Sequence, residues 1–209
     1  MAANPKEYEH YWPMRMTVEE YLKLDESSTD VRYEYLDGQV YAMAGGTADH
    51  STLKINVVIA LRTRLGKGPC RVYDTDMQVQ LANTRYVYPD ATVTCNAEDM
   101  LGDSTRIYSP RIVIEVLSPS TERRDRTKKL AAYQQCPTLQ EYVLIDYTHQ
   151  CVEIYRRQDW GWSYHRFIPD HEVELATLNL HIPFSELYNL TNIPEEDEWE
   201  DDQIPQESL

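Results

Sequence analysis

The chain has 209 residues, 42% of them hydrophobic and 26% charged, with 7 Gly and 11 Pro. That excludes a collagen-like or wholly disordered chain and leaves room for one domain with its own core. It carries 20 Lys and Arg against 35 Asp and Glu, a formal net charge of −15, a poor balance for gripping nucleic acid through phosphates alone. No run approaches the roughly 18 apolar residues of a membrane helix, and no apolar stretch of a signal peptide opens the chain, so a cytoplasmic protein with no membrane partner is expected.

Residues 1–15 read as an N-terminal arm, followed by a single domain over 16–193. Thr17, with Glu20 three residues on, predicts a capping box and a helix to about Asp25. Val31, Tyr33 and Tyr35 alternate with Arg32, Glu34 and Leu36, and Asp37-Gly38 supplies the turn of a hairpin. A second helix is expected from about Asp49 to Gly66, with Leu53, Val57, Ala60 and Leu61 at helical spacing. Two strands, 71–81 and 86–95, alternate apolar and polar residues and turn at Asn83-Thr84 as a meander. The nearly all-apolar RIVIEVL, 111–117, reads as a central strand. A third helix from about Thr121 to Gln135 stops near Pro137. EYVLIDY (141–147), VEIYRR (152–157) and a further pair, WSYHRFI and VELATLNLHI, complete a strand-rich chain. Residues 194–209 read as a disordered tail, since eight acids and no base follow from Glu195 onward. The body carries its own basic cluster, Arg123, Arg124, Arg126, Lys128 and Lys129.

Cys70, Cys95, Cys136 and Cys151 form no CxxC pair and are expected as reduced, buried thiols. The sequence contains no phosphate loop, dinucleotide fingerprint or nucleophile elbow. The anomaly is Glu115, a carboxylate inside IVIEVL. Its desolvation demands a partner. Asp90 follows Pro89, which marks a strand break or edge. Two carboxylates from neighbouring strands converging on one face repel unless a cation lies between them. Oxygen ligands without Cys or His favour Mg²⁺ or Mn²⁺. Asp125, Lys129 and Tyr133, at i, i+4 and i+8, share a face of the following helix. That helix starts soon enough after Glu115 for Lys129 to lie back over it. A lysine beside two carboxylates and a metal suits phosphodiester hydrolysis.

Pro89-Asp90, the run Glu115-Val116-Leu117-Ser118-Pro119-Ser120-Thr121, then Asp125, Lys129, Tyr133 and Glu141-Tyr142 resemble the Uma-two group, restriction-endonuclease-like proteins of the PD-(D/E)XK nuclease superfamily. Tyr33-Glu34, Asp37-Gly38 and His50 fit the same pattern, and the resemblance spans roughly residues 16–190. It implies an α/β (α+β mixed-sheet) fold with an αβββαβ core and extra C-terminal strands. It implies Asp90 and Glu115 as ligands of Mg²⁺ or Mn²⁺, and DNA as substrate. The superfamily's lysine stands two residues after the acid, where this chain has Leu117; its role then falls to Lys129, with Lys128 pointing about 100° away. Glu34, His50, Asp76 and Gln78 are accessory candidates. A cutter of double strands would work as a homodimer. The rival reading is a catalytically quiet interaction or dimerisation module on the same fold.

Overall fold

The computed structural model describes residues 14–43 and 45–195. The expectations for the arm up to residue 13, and for the acidic tail past Glu195, lie outside the described residues. Met14–Arg15, counted with the arm above, form a short strand β1. Helix α1 (Val18–Ser27) carries the expected box: the Glu20 N–H donates to the Thr17 hydroxyl and the Thr17 N–H to the Glu20 carboxylate. Strands β2 (Tyr33–Leu36) and β3 (Gln39–Ala42) form the predicted hairpin. Asp37 and Gly38 take φ of +48° and +91°, the left-handed conformations a two-residue turn requires. Helix α2 (Ala48–Leu65) is capped by Thr47 and buries Leu53, Val57, Ala60 and Leu61.

The two strands predicted over 71–81 and 86–95 are each broken in two. Strands β4 (Arg71–Asp74) and β5 (Gln78–Ala82) share the first segment; β6 (Arg85–Val87) and β7 (Ala91–Thr94) share the second. The hairpin pairing survives, β5 with β6 and β4 with β7, but the two halves enter different sheets. Pro89 has no N–H to continue a ladder, so the second arm changes sheet at Tyr88-Pro89-Asp90. Asp90 therefore sits at the junction between the sheets.

After a short strand β8 (Arg106–Ile107), β9 (Pro110–Val116) runs through the middle of the second sheet. Its neighbours are β7, antiparallel, and β10 (Glu141–Ile145), parallel. The parallel step is bridged by the predicted third helix, which is not uniform. An α-helical turn α3 (Glu122–Arg124) passes into a π-helical turn, Asp125–Lys129, then into α4 (Leu130–Gln134). The Leu130 N–H reaches back to the Asp125 carbonyl, which also accepts from the buried Tyr142 hydroxyl at 3.2 Å. Wide turns of this kind recur at functional sites. Strands β11 (Val152–Gln158) and β12 (Gly161–Phe167) extend the sheet as a meander. The segment VELATLNLHI, read as one strand, instead folds on itself: β13 (Val173–Leu175) pairs with β14 (Leu180–Ile182) around a turn ending at left-handed Asn179. Helix α5 (Phe184–Leu187) packs beside α2.

The sheet orders are β1-β3-β2-β6-β5-β8 and β12-β11-β10-β9-β7-β4, both mixed through one parallel pair each, β5 with β8 and β10 with β9. Strand β9 is buried on both faces, as its continuous apolar run requires. Ile112, Ile114 and Val116 pack under α2 with Leu53, Val57 and Leu61. Val113 and Leu117 pack on the opposite face with Tyr133, Leu139 and Tyr142, against Val79, Val87 and Ile107 of the first sheet. Glu115 lies between Val113 and Leu117 in sequence, so strand alternation aims it at that second face. The expectation of four reduced thiols is corrected. Cys70 and Cys95 flank the paired positions Arg71 and Thr94 and are joined by a disulfide, whereas Cys136 and Cys151 are free and buried. Among the described residues no helix is long and apolar enough to cross a membrane.

Candidate active site

A narrow cleft opens where the two sheets, α2 and the start of the third helical segment meet. Glu34 of β2, His50 and Lys54 of α2, Asp90 at the sheet junction, Glu115 of β9, and Arg124, Asp125 and Lys129 all line it. Four carboxylates thus face one opening, and three are almost wholly buried. At their centre is Lys129, 3% exposed. Its ammonium lies 2.6 Å from Glu115 Oε1, 2.9 Å from Glu34 Oε1 and 3.5 Å from Asp125 Oδ1. The Tyr133 hydroxyl donates to the same Glu115 oxygen at 2.7 Å. The i, i+4, i+8 face read from the sequence therefore does meet Glu115, although a π turn intervenes. Lys128 points elsewhere: it is exposed and its ammonium bonds Gln39 Oε1 and the Tyr41 hydroxyl.

Glu34 is further held by the Tyr88 N–H at 3.2 Å and by Arg124, 3.3 Å from Oε2. Arg124 in turn stacks over the Tyr41 ring. Asp90 has both oxygens engaged. Oδ2 accepts the Val116 N–H at 2.8 Å and Oδ1 takes the Lys54 ammonium at 2.9 Å. His50 Nε2 lies 3.0 Å from the Val116 carbonyl, far across the sequence from the local role its place at a helix start suggests.

The electrostatics follow from that census. Burial would raise the Glu34 carboxyl, but Lys129 and then Arg124 outweigh it, and Glu34 stays ionised below its usual range. Burial also opposes charge on Lys129, yet Glu115, Glu34 and Asp125 together push its pKa up, so it remains an ammonium. Glu115 goes the other way. Burial, with Asp125, Asp90 and Glu34 close by, outweighs Lys129 and raises it to about 8. Burial raises Asp125 too. The physical reading is an excess of negative charge: four carboxylates face Lys54, Arg124 and Lys129. That excess, with burial, favours a proton at Glu115. Asp125 Oδ1 and Glu34 Oε2 are buried without a hydrogen bond and face only a cation each, Lys129 at 3.5 Å and Arg124 at 3.3 Å.

Such a site fits a divalent cation. Asp90, Glu115 and the Val116 carbonyl make an all-oxygen donor set on one wall, the kind Mg²⁺ and Mn²⁺ take. Among the described residues no three His, Cys, Asp or Glu side chains are arranged to hold a metal ion by themselves. Water and substrate oxygens would fill the remaining positions, as is usual for Mg²⁺.

The accessory candidates divide. Glu34 and His50 reach the cleft; Asp76 and Gln78 do not. The Asp76 side chain is exposed and paired with Arg32. Gln78 is buried behind the cleft wall, bonded to Tyr21, Asp25, Tyr88 and Arg106. The strand interruption at 75–77 carries both away from the face that one continuous strand would have shared with Asp90. Lys54 and Arg124 line the cleft without being candidates in the sequence, whereas Asp125 enters the sequence reading only as a member of the Lys129 helix face. Lys54 stands one turn after His50, the only signal the sequence offered for it.

Tyr133→Phe removes a buried donor from a carboxylate. A loss of about 1–3 kcal/mol is expected, visible as a lower urea midpoint at unchanged slope.

Comparison with known proteins agrees with this architecture. Residues 18–185 match the model of the Uma2 family, described as "Putative restriction endonuclease". The uncharacterized protein slr1290 of Synechocystis is 34% identical over 176 residues, covering 83% of this chain and 92% of that one. A second uncharacterized Synechocystis protein, sll1609, is 31% identical over 144 residues, covering 68% and 81%. A crystal structure titled as a putative nuclease of DUF820 from Anabaena variabilis superposes with a TM-score of 0.70, at 22% identity, over 83% of this chain and 97% of that one. That similarity shows a shared fold. On the extent of the family match, the chain belongs to the Uma2 family of restriction-endonuclease-like proteins.

Proposed function

We propose that this protein is a divalent-metal-dependent endonuclease that hydrolyses phosphodiester bonds, with DNA as its substrate. The observation that carries the reading is the buried Lys129 clamped among Glu34, Glu115 and Asp125 at the floor of an acidic cleft. An uncompensated excess of carboxylates is costly in a structural core. It is useful where a metal and a phosphate must meet. In this reading Asp90 and Glu115, with the Val116 carbonyl, hold Mg²⁺ or Mn²⁺. When bound, the metal lowers the pKa of a water and draws charge from the phosphate. Lys129 orients the attacking water and balances charge on the phosphoryl oxygens. Glu34 and Asp125 fix the Lys129 ammonium in place. Arg124, which lines the cleft, would meet a phosphate oxygen.

The test is cleavage of plasmid and of single-stranded DNA in Mg²⁺ or Mn²⁺, wild type beside Asp90→Asn. Wild type is expected to nick or cut, and the variant to lose roughly a hundredfold or more, the scale of one removed electrostatic contributor. Equal rates would remove Asp90 from the chemistry. A second reading, a quiet interaction module, has one specific observation in its favour: both Asp90 oxygens already have partners from the protein. It predicts neither cleavage nor metal binding by the wild type.

A further inference from the structure

Lys54 has no part in the reaction outlined above, yet its ammonium occupies Asp90 Oδ1 at 2.9 Å. The other Asp90 oxygen is fixed by the Val116 N–H, a backbone amide of a central strand that has nowhere to go. A cation that binds Asp90 must therefore contend with Lys54. We propose that Lys54 is a built-in counter-cation for Asp90, which a divalent metal displaces on binding. The inference rests on the metal being held at Asp90 and Glu115.

Three features make Lys54 the exchangeable cation of the site. First, it is only partly buried, with 26% of its side chain exposed, whereas Lys129 is 3% exposed and touches three carboxylates. Second, Lys54 lines two openings. Besides the acidic cleft it forms part of a neighbouring one with Ser28, Thr29, Arg32 and Thr75. The released ammonium has a wet wall on its other side, so leaving Asp90 does not strand it in a dry interior. Third, its position is set by α2, whose Leu53 and Val57 are packed into the core on either side of it in sequence. One turn earlier the same helix places His50 against the Val116 carbonyl. The helix thus sets one basic group against each of two oxygens of the proposed metal wall, His50 on the Val116 carbonyl and Lys54 on Asp90. In the metal-free protein Asp90 is held from both sides, by the Val116 N–H on Oδ2 and by Lys54 on Oδ1.

The consequence has an unusual sign. Removing a positive group beside a cation site raises affinity for the cation, whereas general damage to a site lowers it. Calorimetric titration with Mn²⁺ should therefore give Lys54→Met a dissociation constant about tenfold below wild type, a shift worth about 1.4 kcal/mol. Lys54→Arg keeps the charge and should stay close to wild type. Adding Asp90→Asn to Lys54→Met should abolish the gain. A Lys54→Met protein that binds Mn²⁺ no more tightly than wild type overturns the exchange. If wild type still cuts DNA with Mn²⁺ in that case, the nuclease reading stands and only the exchange falls. If neither wild type nor Lys54→Met takes up Mn²⁺, both fall together.

Discussion

Lys129→Ala will lower the melting temperature of the metal-free protein by roughly 6–20 °C near pH 7, and Lys128→Ala will leave it within about 3 °C. The first figure comes from the cost of breaking a buried ion pair by removing one partner, about 3–5 kcal/mol, at about 2–4 °C per kcal/mol in a chain of this size. Lys129 is an extreme case because three carboxylates depend on it. Without it, Arg124 alone remains against Glu34, at 3.3 Å. The Lys128 ammonium is exposed and contacts Gln39 and Tyr41, an arrangement worth under about 1 kcal/mol. The deficit of Lys129→Ala must also shrink as the pH falls toward 5, because the orphaned carboxylates then take up protons and shed the charge that made them costly. Thermal melts of both variants across pH 5–8 check the claim. A deficit independent of pH would mean that Lys129 matters for packing alone. Activity should follow the same split, with Lys129→Ala inactive even well below its melting temperature.

Some of this was legible in the sequence because the information is local. Asp37-Gly38 fixes a hairpin through backbone conformations that few residues adopt, and Thr17 with Glu20 fixes a helix start. Glu115 stood out because an acid in an apolar strand is costly anywhere. What could not be read depends on contacts between distant segments. The alternation of Met77, Val79 and Leu81 survives a change of sheet, since a period of two does not say which sheet a strand joins. That is why Gln78 and Asp76 were grouped with Asp90 and lie elsewhere. Lys54 flanks an apolar helix face, where lysines are ordinarily solvated; only the docking of α2 over the sheet junction puts it on Asp90. The π turn is a backbone shift secured in part by the Tyr142 hydroxyl from another strand. Cys70 and Cys95, 25 residues apart, face each other only once β4 and β7 pair.

Glu115→Gln will leave the metal-free protein at least as stable as wild type at neutral pH, while abolishing divalent-metal binding and cleavage. The amide is nearly the same shape. Its oxygen can accept from the Tyr133 hydroxyl and the Lys129 ammonium, which keeps Glu34 and Asp125 as counter-charges. What disappears is a carboxylate that burial and its acidic neighbours hold up to about 8, against an ordinary value of 4.5. The sign follows from linkage. Between those two values the folded wild type keeps a proton at Glu115 that the unfolded chain releases. Its contribution to stability is complete below about 4.5 and is lost as the pH rises through about 8. The glutamine cannot titrate and has no such loss. The variant's advantage should therefore grow from pH 5 to about pH 8 and level off above it, which melts at intervals across pH 5–9 will show. Metal binding runs on the same proton. Wild-type affinity for Mn²⁺ should climb with pH toward 8 as Glu115 is freed to ligate, and calorimetry on the variant should detect no binding at any pH. A variant much less stable than wild type throughout the range would assign Glu115 to the architecture of the core and take it out of the metal site.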